Sequence, residues 1–171
     1  MTAPPTPSQT VGPFFSIGLC NRPSNDLVED GPLAIEGAVL DGAGDPVPDA
    51  MVEIWQADAG GSYSGAFGWG RSGTDEEGRY SFRTVKPGAV DGQAPHLVVL
   101  VFARGLLKPV LTRMYFPDEA EANAADPVLN LVEHVERRKT LVARREVRDG
   151  VPVYGFDIRL QGEGETVFLD V

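Results

Sequence analysis

From residue 33 onward the chain is cut into short apolar or alternating segments by clusters of Gly, Pro and Asp, a spacing that demands a fold of many strands. The segments expected as strands are 33–40, 50–57, 79–85, 96–103, 111–116, 140–147, 153–160 and 165–171. Within 153–160, Tyr154, Phe156, Ile158 and Leu160 alternate with Gly155, Asp157 and Arg159, so one face is apolar. Residues 97–102 are apolar throughout, which predicts a strand covered on both faces or buried at a subunit interface. Between the first two segments, "DGAGDPVPD" (41–49) supplies positive φ through its glycines and preset turns through its prolines. An all-β sandwich or barrel follows. With 171 residues, 42% of them hydrophobic, the chain can bury one sizeable core but has little room for a second domain.

Three stretches depart from this pattern. The first nine residues hold three prolines and no apolar periodicity, as in an extended arm that lies free or on a partner. Near 117–132, "PDEAEANAA" is rich in helix formers, and "DPVLNLV" offers Asp126 as an N-cap with Pro127 at the first helical position. Residues 59–73, "AGGSYSGAFGWGRSG", read as a long flexible loop whose Tyr63, Phe67 and Trp69 pack on their own domain or line a pocket.

Charge and cysteine content exclude several classes of function. A net charge of −10 repels phosphate backbones and anionic membranes. The lone Cys20 forms no internal disulfide, and "MTAPPTPSQT" lacks the basic start and apolar stretch of a secretion signal, so a soluble cytoplasmic chain is expected. Cys20 lacks a cysteine-protease signature, and no serine occupies a G-x-S-x-G elbow. The glycines of 59–73 match neither a phosphate loop nor a dinucleotide fingerprint. Two histidines and one cysteine do not make a zinc cluster. His134, in "VEHVERR", reads as a surface residue. His96, heading "HLVVLVFARG", is either a strand-edge ligand or a polar plug. At the other end of that run, Arg104 sits where a rigid strand could aim its planar fork at a carboxylate.

The stretches "VEIWQADAGGSY" (52–63), "GTDEEGRYSFRTVKPG" (73–88), "APHLVVLVFARG" (94–105), "LTRMYF" (111–116) and "FDIRLQGEGETVFLDV" (156–171) resemble the intradiol ring-cleavage dioxygenases over nearly the whole chain. "TPSQTVGPFFSIGL" (6–19), "FARG" and "QGEGETVF" resemble the alpha chain of the two-chain members more than any stand-alone member. The resemblance implies a two-sheet β-sandwich (33–171) preceded by an arm and connection (1–32) packed on a partner. It also implies a ferric ion held by two tyrosines and two histidines, hard anionic phenolates favouring Fe(III), and an O2-dependent opening of a catechol ring between its hydroxyls. Here His96 matches the first histidine of a His-x-His pair, while Val98 stands at the second. Val90 stands where a tyrosine follows "KPG", Gln93 replaces an arginine, and 63–71 offers no clear second tyrosine. His96, Val98 and Val90 are therefore expected to be vestigial ligand positions, with no metal on this chain and Fe(III) on a partner beta chain. The resemblance further assigns Thr10, Gly12, Pro13 and Arg104 to the partner's substrate cavity, in a hetero-oligomer of alpha–beta protomers acting on a small aromatic substrate. Without it, a stand-alone transthyretin-like binding module would be the alternative.

Overall fold

The computed structural model describes residues 5–21, 24–63 and 67–170. Along them run α1 (Phe15–Leu19), β1 (Leu33–Leu40), β2 (Met51–Trp55), β3 (Trp69–Gly73), β4 (Arg79–Thr84), β5 (His96–Phe102), β6 (Val110–Tyr115), α2 (Ala120–Ala125), α3 (Val135–Arg138), β7 (Arg144–Arg148), β8 (Val151–Gly155) and β9 (Ile158–Arg159). Single 3-10 turns occupy Leu129–Leu131 and Lys139–Leu141.

Two sheets face each other. One has the order β4-β1-β8-β7, with β9 continuing alongside β1; the other has the order β3-β2-β5-β6. Neighbours are antiparallel, except that β8 and β9 run parallel to β1. Alternation drives the pairing: in β4, Tyr80, Phe82 and Thr84 point inward while Arg79, Ser81 and Arg83 point out. Ile35, Val39, Phe82 and Ile158 of the first sheet meet Val52, Ile54, Leu97 and Met114 of the second, all essentially inaccessible to solvent. Each such side chain contributes about 1.5–3 kcal/mol through burial. The β7–β8 hairpin turns at Asp149–Gly150, both at positive φ (53° and 81°), the tight turn whose twist matches that of its strands.

The two-sheet sandwich is as expected, and several local expectations are corrected. Residues 59–73 are not a loop throughout, because 69–73 form edge strand β3 on β2. "WGRSG" has no apolar alternation. Its strand state comes from backbone pairing and from Gly70, where a Cβ would lie 2.4 Å from Leu27 Cδ1. Residues 64–66 of that stretch lie outside the described residues. Strand β5 lies inside its sheet, and of residues 97–102 Leu97, Val99 and Val101 are fully buried while Val98, Leu100 and Phe102 are half-buried on the outer face, so this chain by itself does not cover both faces of the strand. Segment 140–147 opens with a 3-10 turn, and its strand begins only at Arg144.

Segment 153–160 is split at Phe156–Asp157, although Tyr154, Phe156 and Ile158 are buried together as expected. Residues 165–170 contribute an isolated bridge, Leu169 to Leu111, and Val171 lies outside the described residues. Residues 117–132 hold α2 and a 3-10 turn. Asp126 Oδ1 accepts from Val128 N (2.9 Å) and Leu129 N (2.7 Å), the expected cap. Of the arm, residues 5–9 have no secondary structure, residues 1–4 lie outside the described residues, and the unforeseen α1 follows. Cys20 is half-buried and packed over Gly73, and burial raises its thiol pKa.

Candidate functional site

Strand β5 carries the two groups of candidate residues at its opposite ends. His96 opens the strand and Arg104 lies in the turn beyond its close, so the six steps of β5, roughly 20 Å at 3.3 Å per residue, lie between them. The structure therefore does not join the His96 cluster and Arg104 in one site.

At the first end, His96 is buried and its Nδ1 lies 2.7 Å from Ala94 O. Val98 shares its face and pairs across the sheet with Trp55 and Arg113. Val90 lies in a turn closed by its backbone pairing with Gln93 (2.8 and 3.2 Å). That turn presents Gln93 Oε1 to Arg113 Nη1 at 2.6 Å. Behind it, the Tyr115 hydroxyl donates to Asp126 Oδ1 (3.0 Å), and Ala94 N donates to Asp126 Oδ2 (2.8 Å). A small second core of Ala94, Tyr115, Leu129 and Leu141 holds this end rigid.

These residues do not fit a ferric ion. Val98 and Val90 bring no donor atom. Burial, above all, pushes the Tyr115 phenol up to about 12, and its proton is committed to Asp126. Burial likewise pushes His96 below its ordinary value, and the nearby Arg113 guanidinium adds to that effect; the same positive charge repels a metal cation. Among the described residues, no three His, Cys, Asp or Glu side chains cluster as a metal site.

The His96 shift sets a pH dependence. The unfolded state takes up a proton near 6.5 that the folded state resists, so the stabilisation is present above that value and is lost as pH falls through the folded pKa. Urea unfolding between pH 7.5 and 5 should show wild-type stability falling more steeply than that of His96→Gln, by up to about 1.4 kcal/mol per pH unit. Equal slopes would contradict a buried neutral imidazole.

At the second end, Ala103 to Leu106 make a tight turn closed by Leu106 N donating to Ala103 O (3.2 Å), with Gly105 at φ 90° in its third position. Only glycine adopts that angle without strain, which fixes Arg104 at the turn's outer corner. Gly105 N donates to Thr10 Oγ1 at 3.1 Å, so the arm meets this turn across 95 residues of sequence. Val11 and Gln9 line a small recess with Phe102, Ala103 and Leu106. Gly12 (φ 78°) and Pro13 come next, before α1. Arg104 is largely exposed, and its Nε lies 2.8 Å from Asp49 Oδ2.

The structure thus brings Thr10 of the arm to Gly105, the residue after Arg104. Sequence reading missed Asp49 and Arg113: no periodicity links residue 49 to 104 or 113 to 93, and the pairings arise from the sheet. His134 is exposed and heads α3, as expected. Trp69, taken for a loop aromatic, lies on β3 with the Arg71 guanidinium 5.0 Å from its ring centre.

Comparison with known proteins supplies the context. The family model described as "Dioxygenase" matches residues 20–162. Curated relatives named protocatechuate 3,4-dioxygenase alpha chain, from Pseudomonas putida and Burkholderia cepacia, are 44% and 47% identical. The alignments cover 98% and 97% of this chain, and 96% and 97% of theirs. The protocatechuate 3,4-dioxygenase beta chain of Burkholderia cepacia is 34% identical over 78% of this chain and 66% of its own length. Among solved structures, the dioxygenase domain of a dioxygenase carbohydrate-binding protein fusion from Streptomyces sp. SirexAA-E superposes with TM-score 0.66 at 27% identity, covering 93% of this chain and 99% of that one.

Proposed function

This chain belongs to the intradiol ring-cleavage dioxygenase family, and from that membership we propose that it is the alpha subunit of a protocatechuate 3,4-dioxygenase, completing a substrate cavity whose metal lies on a beta chain. Such an enzyme uses O2 and a ferric ion to open the ring of 3,4-dihydroxybenzoate between its hydroxyls, giving 3-carboxy-cis,cis-muconate in aromatic catabolism by the β-ketoadipate route. The observation that carries the reading is the separation along β5. Arg104, with Thr10 bonded to the residue after it, stands beyond the far end of β5 from His96, so in this assignment they serve a site on another chain rather than their own.

In the proposed assembly the Arg104 guanidinium holds the ring carboxylate and so turns the two hydroxyls toward the partner's iron. Thr10, Gly12 and Pro13 close the cavity from the arm side. Residues 1–32 act as the arm and connection, the arm packing on the beta chain while residues 24–27 pair with Arg71 and Arg83 of this chain's own sandwich, and 33–171 form the sandwich. The exposed Phe14 and Ile17, at 76% and 67%, supply apolar surface for that contact. The alpha–beta protomers build a hetero-oligomer, which we place in the cytoplasm. No helix among the described residues is long and apolar enough to cross a membrane.

The test is to purify the chain alone and after co-expression with a beta chain. The isolated chain is expected to bind no stoichiometric iron and to leave 3,4-dihydroxybenzoate uncleaved, while the mixed complex binds iron and cleaves the ring. Iron and ring cleavage on the isolated chain would overturn the reading.

A further inference from the structure

We propose that Asp49 is the positioning residue for Arg104, fixing the direction in which its guanidinium meets the substrate's carboxylate. This rests on the assignment of Arg104 to the partner's cavity, and it adds a residue to the specificity machinery that neither the strand pattern nor the resemblance picks out.

Asp49 differs from the aspartates in neighbouring turns. Asp41 Oδ1 accepts from Ala43 N and Asp45 N, Asp58 Oδ1 from Gly60 N and Ser62 N, and Asp75 Oδ1 from Glu77 N and Arg79 N. Each holds its own turn together. Asp49 makes no such local bond among the described residues; its Oδ1 is buried without a hydrogen-bond partner, and its Oδ2 meets Arg104 across 55 positions of sequence. A carboxylate oxygen left in that state costs stability, so its presence calls for a purpose other than holding the turn together.

The asymmetry of the pair gives the direction of control. Thr74 ties down the backbone on either side of Asp49: its Oγ1 donates to Val47 O (2.7 Å) and accepts from Ala50 N (2.9 Å). The Asp49 side chain is 24% exposed against 62% for Arg104. The acid is therefore fixed and the base is free to swing. Contact is made through Nε, and Nη1 and Nη2 have no hydrogen bond or ion pair among the described residues. A guanidinium held along its Nε edge keeps its terminal nitrogens for a second, incoming carboxylate.

The experiment uses the assembled alpha–beta enzyme with Asp49→Asn, Asp49→Ser, Asp49→Glu and Arg104→Met. Its readouts are KM and kcat for 3,4-dihydroxybenzoate, and inhibition by catechol, which has the two hydroxyls but no carboxylate. Asp49→Asn and Asp49→Ser should each raise KM about five- to ten-fold with kcat within about two-fold, an effect of one misaimed charged contact. The catechol inhibition constant and the iron content should stay unchanged, and Asp49→Glu should recover part of the loss. If Arg104→Met leaves KM unchanged, the assignment of Arg104 to the partner's cavity fails, and the role of Asp49 falls with it. If Arg104→Met raises KM but the Asp49 variants do not, the positioning role alone is overturned. Equal losses for 3,4-dihydroxybenzoate and catechol, or loss of assembly in both Asp49→Asn and Asp49→Ser, would also overturn it by showing a general structural role.

Discussion

Asp126→Ala is expected to destabilise the chain by about 3–5 kcal/mol, because one fully buried side chain satisfies four donors from three parts of the sequence. Two are the backbone amides of Val128 and Leu129 in the turn it caps, and a lost cap alone costs about 1 kcal/mol. The third is the Tyr115 hydroxyl at the end of β6, and the fourth is Ala94 N, just before β5. Alanine leaves these donors in a small core with no replacement acceptor. In urea the unfolding midpoint should fall by about 2 M, taking a slope near 2 kcal/mol per molar. Asp126→Asn keeps one acceptor oxygen and should lose less than half as much. A loss below about 1 kcal/mol for alanine would show that water reaches the site and takes over the four bonds.

Gly37→Ala should be comparably damaging, through size rather than backbone conformation. A Cβ at Gly37 would lie 1.9 Å from Phe156 O and 2.8 Å from the Tyr80 hydroxyl. That hydroxyl donates to Phe156 O at 2.5 Å, so the methyl group would break into an existing bond between buried partners. Relieving the overlap moves the β8–β9 bend away from β1 and leaves the Tyr80 hydroxyl unpaired. Overpacking costs about 1–3 kcal/mol and a stranded buried hydroxyl about as much again, for a total near 3–5 kcal/mol. Gly150→Ala is the comparison: it also adds one methyl group, but in open space at a positive φ, and should cost about 1 kcal/mol. Thermal unfolding of the two variants separates them; equal shifts would show that the bend relaxes freely.

The legible parts of the fold are those where side-chain pattern and pairing agree. Strands β1 and β4 show in the sequence because Ile35, Val39, Tyr80 and Phe82 alternate with polar or small residues. Strand β3 does not, because a run of Trp, Gly, Arg and Ser takes its conformation from β2 and from the Glu53–Arg71 ion pair across the two strands. The opposite failure occurs at 165–170, where an alternating pattern forms a single isolated bridge among the described residues, Leu169 to Leu111, and no ladder extends. The same division holds at the candidate site. His96, Val98, Thr10 and Arg104 stand out through residue type in a recognisable context. Asp49 and Arg113 act through partners that only the folded sheets bring close, and nothing in their local sequence records it.

The parallel pairing of β1 with β8 and β9 also sets an order of assembly. Ala38 N reaches Asp157 Oδ1 across 119 positions, so the sheet built on β1 stays incomplete until residues 151–159 are synthesised. All strands of the opposite sheet lie between Met51 and Tyr115 and can associate earlier. The half-built state then shows an unpaired β1 edge, the kind of surface that recruits other chains. In the finished molecule the outermost position belongs instead to β7, where Arg144, Arg145 and Arg148 make a charged edge that discourages such recruitment.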